Sequence, residues 1–152
     1  MHQRNIDFCR LCEMVYGSAW QVAFHRDTGI SERSIRRWVA GEYEVREIVL
    51  QKVLEKFTRD FCEIVIETIN NTLPRPRVYH IATFEKEADY RKVMSDMPIS
   101  YETYLLAVDM INEKLRWHIT VAKCVIVPAE YSAWLNGKQN TPLNRARYMA
   151  GL

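Results

Sequence analysis

Residues 29–41 read Gly29-Ile30-Ser31-Glu32-Arg33-Ser34-Ile35-Arg36-Arg37-Trp38-Val39-Ala40-Gly41. Gly29 suits a tight turn between helices, because glycine adopts a positive φ without steric cost. Ser31 is placed to cap the helix that follows, and Ile35 and Trp38 recur on one side of that helix. Gly41 stands where a glycine commonly ends a helix. The stretch therefore predicts one short amphipathic helix bracketed by two glycine turns.

The opposite side of this helix is polar and carries Arg33, Ser34, Arg36 and Arg37. With the Gly29-Ile30-Ser31 turn, the spacing resembles the helix-turn-helix core of the Cro/CI-type (Xre-like) regulators over roughly residues 5–70. The resemblance implies that residues 31–40 are a recognition helix in the major groove of double-stranded DNA. The arginines are then candidates for base edges or phosphates. Ser31 and Ser34 are candidates for contacts to the DNA backbone.

The resemblance also implies a biological setting. Cro/CI-type regulators usually bind inverted repeats as dimers, so we expect a homodimer and half-sites about one helical turn apart. They commonly repress or autoregulate operons of phages and mobile elements, and some are linked to anti-CRISPR or antitoxin genes. One residue departs from the family pattern: His25 stands where the family usually places a small alanine.

Composition fits a globular protein of 152 residues, with room for one domain or two small ones. The content is 48% hydrophobic and 26% charged, which is ordinary for such proteins. No stretch approaches the ~18 consecutive apolar residues of a membrane span. The first residues lack the apolar core of a signal peptide, so we expect a cytoplasmic location without membrane contact.

The net charge of +2 does not announce a nucleic-acid partner. Residues 1–72 carry 10 Lys/Arg against 11 Asp/Glu, and residues 73–152 carry 11 against 8. A phosphate-binding surface must therefore be a local patch. Arg33, Arg36 and Arg37, with only Glu32 nearby in the sequence, supply one.

Residues 1–72 are predicted to be an all-α helix-turn-helix domain, with helices at 5–16, 19–28, 31–40 and 45–69. The fourth helix is long, and its apolar stripe contains Leu50, Leu54, Phe57, Phe61 and Ile64, broadened by Val49, Val53 and Val65. Residues 73–77 form a linker, because its two prolines cannot continue a helix. Part of the fourth helix's stripe is expected to face either another part of the chain or a second subunit.

Residues 78–152 change to an α/β pattern, so the fold class is α+β. Strands are predicted at 78–82 and 117–127, and helices at 84–95, 101–115, 129–135 and 142–149. Thr83, Ser100 and Thr141 are expected to cap three of these helices. The stripe of 101–115 is expected to consist of Tyr101, Leu105, Val108, Ile111 and Leu115. We expect this small module to serve dimerisation or partner binding, since two strands alone make a marginal sheet.

No motif of a nucleotide-binding, metal-dependent or serine-nucleophile enzyme occurs, so we expect neither catalysis nor a cofactor. Cys9 and Cys12 form a CxxC in a helical apolar pattern without a second ligand pair, which favours buried thiols over a metal site. His80 and His118 fall in predicted strands and could approach each other across a sheet. A structural role for these histidines is favoured, because no nucleophile recurs near them.

Two alternatives of other classes remain. In the first, the chain is a protein-binding inhibitor or antitoxin of anti-defence type. Residues 78–152 would then bind a protein target, and the helix-turn-helix would autoregulate. In the second, the chain binds RNA, which is suggested by aromatic residues beside basic ones, such as Tyr79, Arg77 and Arg147.

Overall fold

The computed structural model describes all 152 residues and shows a mixed α/β protein with eight helices and two strands. The helices are α1 (Gln3–Tyr16), α2 (Trp20–Thr28), α3 (Glu32–Val39), α4 (Glu47–Asn71), α5 (Glu87–Val93), α6 (Tyr101–Leu115), α7 (Pro128–Leu135) and α8 (Pro142–Met149). The strands are β1 (Val78–Thr83) and β2 (Thr120–Val125). None of the helices combines the length and apolar character that a membrane crossing requires.

The chain forms two compact units, of which the first comprises Met1–Val65 and Pro98–Ile111. An aromatic cluster holds its first three helices together. The fully buried ring of Phe8 meets Trp20, Phe24 and Trp38 edge-to-face, with ring centroids 5.7, 5.3 and 5.5 Å away. Such arrangements place the positive edge of one ring against the negative face of another. These residues come from α1, α2 and α3, so the cluster fixes the three helices.

The long fourth helix is confirmed, and most of its predicted stripe is covered. Val53, Leu54 and Val65 are buried as expected, whereas Ile64 is 64% exposed. Cys62, which the predicted stripe did not include, is buried. Periodicity identifies the apolar side of a helix, but the packing around each turn decides which part of that side is covered.

Helix α6 confirms its predicted stripe in part. Val108 and Leu115 are buried as expected, whereas Leu105 is 41% exposed. Tyr104 and Ala107, which the stripe did not include, are buried. The predicted cap at Ser100 is confirmed, because its Oγ accepts a hydrogen bond from the backbone N–H of Thr103 at 3.3 Å.

The start of α6 belongs to the first unit because α1 binds it. The carboxylate of Asp7 accepts hydrogen bonds from the backbone N–H of Ser100 at 3.0 Å and from the Thr103 hydroxyl at 2.6 Å. Arg10 donates to the carbonyl of Pro98 at 2.8 Å. The compact units thus divide within α4 and α6, whereas the sequence-based division placed a linker at residues 73–77.

The second unit comprises Ile66–Met97 and Asn112–Leu152 and contains the sheet. β1 and β2 pair in parallel, from Val78 opposite Thr120 to Thr83 opposite Val125. Helix α8 packs against β1, and α7 contacts both α5 and α8. The predicted cap of α8 is confirmed, since Thr141 Oγ1 accepts from the backbone N–H of Asn144 at 3.1 Å.

Two predicted boundaries in this unit are wrong. Thr83 does not cap a helix, because its carbonyl accepts a hydrogen bond from the N–H of Ile126 at 3.0 Å and extends β1. Helix α5 consequently begins only at Glu87. The second strand starts at Thr120, since the preceding backbone still bonds to the end of α6, with the N–H of His118 donating to Leu115 at 2.8 Å.

A buried arginine organises the end of the chain. Arg145 is 5% exposed and lies 2.8 Å from the Asp96 carboxylate. It also donates to the side-chain oxygen of Asn140 at 2.9 Å, and that oxygen accepts from the Tyr131 hydroxyl at 3.0 Å. A buried charge is tolerated only when it is paired and hydrogen-bonded in this way. The network therefore joins α8 to α7 and to the segment after α5.

Candidate nucleic-acid interface

The turn between α2 and α3 has the geometry that its sequence predicts. Gly29 adopts the left-handed conformation at φ 72° and ψ 2°, and its N–H donates to the carbonyl of His25 at 2.8 Å. His25, the residue that departs from the family pattern, takes part in the same turn. Its Nδ1 lies 2.7 Å from the carbonyl oxygen of Ile30. That oxygen can only accept, so Nδ1 carries the proton.

The predicted cap of α3 is also confirmed. Ser31 Oγ accepts from the backbone N–H of Ser34 at 3.1 Å and donates to Ser34 Oγ at 2.9 Å. The Ser31 hydroxyl is therefore used within the chain. The two hydroxyls need only one proton for the hydrogen bond between them, so the other hydroxyl proton is available to an acceptor outside this pair.

The other end of α3 closes in a Schellman motif. The N–H of Gly41, at φ 74°, donates to the backbone carbonyl of Trp38 at 3.0 Å. The N–H of Glu42 donates to the backbone carbonyl of Arg37 at 3.0 Å. The fully buried Asn5 of α1 fixes the loop that follows. Its side-chain amide donates to the carbonyls of Trp38 and Tyr43 at 3.0 and 2.7 Å. Its oxygen accepts from the N–H of Val45 at 2.8 Å.

The three arginines of α3 are not equivalent. Arg36 lies 3.3 Å from the Glu32 carboxylate one turn earlier. Arg37 lies 3.5 Å from the Glu42 carboxylate, and its guanidinium sits 5.4 Å from the centre of the Tyr43 ring. Arg33, the second residue of α3, is exposed and has no partner within the chain.

The patch therefore carries less free charge than the sequence indicates. The sequence places only Glu32 near the arginines, whereas the helix-ending turn also brings Glu42 to Arg37. Exposed ion pairs of this kind are weak, worth about 0–1 kcal/mol, so they can exchange for phosphate contacts. Of the three arginines of α3, only Arg33 can contact a ligand without first breaking an ion pair.

A cleft of about 370 Å³ lies beside the turn, between the end of α2 and the start of α4. It is lined in part by Thr28 and Ile30 of the turn and by Arg46 and Lys52. These two cations were missed in the sequence because they lie more than fifteen residues beyond Ile30. Arg46 is exposed and stands directly before the first residue of α4.

The other candidate groups are not assembled into a site. Cys12 is fully buried, and burial, followed by the neighbouring Cys9 and Glu13, raises the pKa of its thiol above the usual range. His80 lies in β1 opposite Ala122, whereas His118 lies before β2 begins. The parallel register therefore does not pair the two histidines across the sheet.

No protein-family model matches this chain, and no curated protein matches it. The resemblance to Cro/CI-type regulators therefore rests on the residues of the 29–41 stretch and their surroundings.

Proposed function

We propose that this chain is a sequence-specific regulator that binds double-stranded DNA through α3. The observation that carries the proposal is an eight-residue helix held at both ends, with the unpartnered Arg33 in its exposed first turn. Recognition helices of helix-turn-helix proteins contact base edges with their N-terminal residues. A side chain that contacts a base must have no competing partner in the unbound protein and must lie on a rigid element. Arg33 meets both requirements.

The α3 residues take different roles in this proposal. Arg33 reads a base, and its two parallel donors match the O6 and N7 acceptors of guanine. Arg36 and Arg37 exchange their carboxylate partners for phosphates, which adds affinity without sequence information. The free hydroxyl proton of the Ser31 and Ser34 pair can donate to a phosphate oxygen, while Ser31 acts by holding the first turn.

We infer a repressor or autoregulator of a phage or mobile-element operon from the family resemblance. A homodimer on an inverted repeat follows from the same resemblance, with half-site centres about 34–36 Å apart. Size-exclusion chromatography with light scattering tests the dimer. A monomer at micromolar concentration that also binds only single half-sites would contradict it.

Selection of bound duplexes from a random library tests the function itself. We expect an enriched motif containing a G·C pair that the Arg33→Ala variant no longer requires, with affinity for the motif reduced by about 1–3 kcal/mol. Arg59→Ala, which removes an exposed charge from α4, is the matched control and should retain the motif. The absence of any enriched duplex, or an unchanged motif in Arg33→Ala, would overturn the proposal.

A further inference from the structure

An exposed tryptophan stands at the edge of the sheet in the second unit. Trp117 is 77% exposed, although both Leu115 and Ile119 beside it are buried. The N–H groups of His118 and Ile119 both donate to the carbonyl of Leu115, at 2.8 and 3.1 Å. The turn is therefore fixed by two apolar anchors and two hydrogen bonds, and it holds Trp117 outward. The ring is therefore an exposed aromatic face held in a fixed place and accessible to a partner.

Two arginine side chains lie at this turn. The Arg116 guanidinium lies 5.0 Å from the centre of the Trp117 ring. Arg75 donates to the carbonyl of His118 at 3.3 Å, which places the 75–77 segment alongside the turn. Arg77 directly precedes β1, where Val78 pairs with Thr120.

The charge of this surface is uncompensated. Arg77 and Lys114 are exposed and have no partner within the chain. The only ion pair is between Arg116 and Glu113, at 3.2 Å. The segments 75–77 and 113–117, which meet at this turn, thus carry four cations and one carboxylate beside one exposed aromatic ring. We name the group Arg75, Arg77, Lys114, Arg116 and Trp117 the Trp117 surface.

We propose that the Trp117 surface binds single-stranded nucleic acid, with one unpaired base stacked on Trp117 and the phosphates held by the arginines. Arg116 lies over the ring, so a flat partner can complete a stack on the ring, and a base is such a partner. A lipid bilayer or an acidic peptide satisfies the charges but offers no matching plane. A duplex hides its base faces, so the base must be unpaired.

Fluorescence anisotropy of labelled 15-nucleotide oligo(dT) and oligo(rU) with the full-length protein tests the proposal and distinguishes DNA from RNA as the source of the strand. We expect at least one of the two to bind. Trp117→Ala should weaken that binding about 5-fold to 150-fold, since stacking is worth about 1–3 kcal/mol per base. Trp117→Phe, which keeps an aromatic face, should retain most of the wild-type affinity for the oligonucleotide.

The phosphate contacts have a separate signature. Arg77→Ala should make the slope of log affinity against log salt less steep by about 0.7, the value for one phosphate of a single strand. Arg91→Ala removes an exposed arginine from α5 of the same unit and should leave affinity and slope unchanged. Trp117 is exposed, so its variants should remain folded. Circular dichroism is the measurement that checks this.

Three results would overturn the proposal. The first is binding that is equal in the wild type and in Trp117→Ala. The second is binding that disappears when Arg33, Arg36 and Arg37 are replaced by alanine, which would assign it to α3. The third is capture by phosphatidylserine vesicles through Trp117 without binding of either oligonucleotide. The α3 triple variant should keep the oligonucleotide, so failure of this proposal and failure of the duplex-binding function are separately visible.

Discussion

The carboxylate of Asp7 in α1 accepts a hydrogen bond of 2.6 Å from the Thr103 hydroxyl in the first turn of α6. Both residues are buried, at 1% and 4% exposure. No cation pairs with Asp7; its other donors are Gln3 and the backbone N–H and hydroxyl of Ser100. The start of a helix favours a negative charge, because its free N–H groups point outward. Asp7 therefore acts as a cap supplied from 93 residues away.

Replacing Asp7 by alanine should lower the free energy of unfolding by about 2–3 kcal/mol. The change leaves the hydroxyls of Ser100 and Thr103 and one backbone N–H without their acceptor in a buried place. Asp7→Asn keeps the shape and one acceptor oxygen, and hydroxyls can rotate to accept from the new amide, so it should cost about 1 kcal/mol. Urea unfolding followed by circular dichroism measures both.

Glu85→Ala, an exposed carboxylate without a partner, serves as the control and should stay within about 0.5 kcal/mol of the wild type. An Asp7→Ala variant as stable as this control would show that α6 does not depend on the carboxylate.

Local patterns predicted the elements well because the relevant physics lies within a few residues. The left-handed Gly29 and the caps at Ser31, Ser100 and Thr141 are all set by neighbours three or four positions away. Thr83 shows the limit. Threonine can cap a helix or lie in a strand. Thr83 lies in the strand because it pairs with Val125 across the sheet, 42 positions later in the chain.

The supports of the candidate site could not be predicted in this way. Asn5 and Asp7 are polar residues in an amphipathic helix, where sequence alone places them in solvent. Their partners lie at Trp38–Val45 and Ser100–Thr103, so the separations are 33 to 96 residues. Likewise the pairing of Arg37 with Glu42 depends on the turn at Gly41, which no helical periodicity contains.

Asn5 is the support whose loss should be felt most directly by α3. Asn5→Ala removes three buried hydrogen bonds to the backbone of Trp38, Tyr43 and Val45, and we expect a loss of about 2–3 kcal/mol. Asn5→Asp should cost at least as much, because a carboxylate oxygen would face two carbonyls where the amide donates.

Amide hydrogen exchange locates the effect of these variants. The N–H of Val45 should exchange faster in Asn5→Ala, in which it has no acceptor, and should stay protected in the Asn70→Ala control on exposed α4 surface. Unchanged protection of Val45 in Asn5→Ala would show that the Asn5 side chain does not hold this loop.

The CxxC pair should behave as structural thiols. Cys12 is fully buried and Cys62 is 3% exposed. Burial also raises the pKa of Cys12, and the thiolate is the reactive form. With an aromatic disulfide reagent at about pH 8, we expect Cys12 and Cys62 to react only when urea unfolds the chain.

Cys124 is partly exposed and should give the fast phase in the folded protein. Cys9 is also partly exposed, but burial, followed by the neighbouring Glu13, raises its pKa. Cys9 should therefore react more slowly than Cys124. Cys124→Ser should remove the fast phase. Rapid labelling of Cys12 in the folded protein would instead indicate a redox motif.

The acidic partners of the α3 arginines should restrain DNA binding. Glu32 and Glu42 hold Arg36 and Arg37 in exposed ion pairs and also repel phosphates. Under the proposed function, Glu32→Gln and Glu42→Gln release one guanidinium each and remove one negative charge. We expect each to raise affinity for duplex DNA by about 3-fold to 10-fold at ~0.1 M salt, where such charges are only partly screened.

The salt dependence separates this mechanism from a change in stability. Removing the competing carboxylate and one negative charge should steepen the slope of log affinity against log salt, by at most the ~0.9 that one duplex phosphate contact contributes. Glu55→Gln, on an exposed position of α4, makes the same charge change and should leave the slope unaltered. The gain should be equal for matched and unmatched duplexes, because phosphates carry no sequence information. A gain confined to one sequence would instead place Glu32 or Glu42 against a base, and unchanged affinity would place Arg36 and Arg37 away from the DNA.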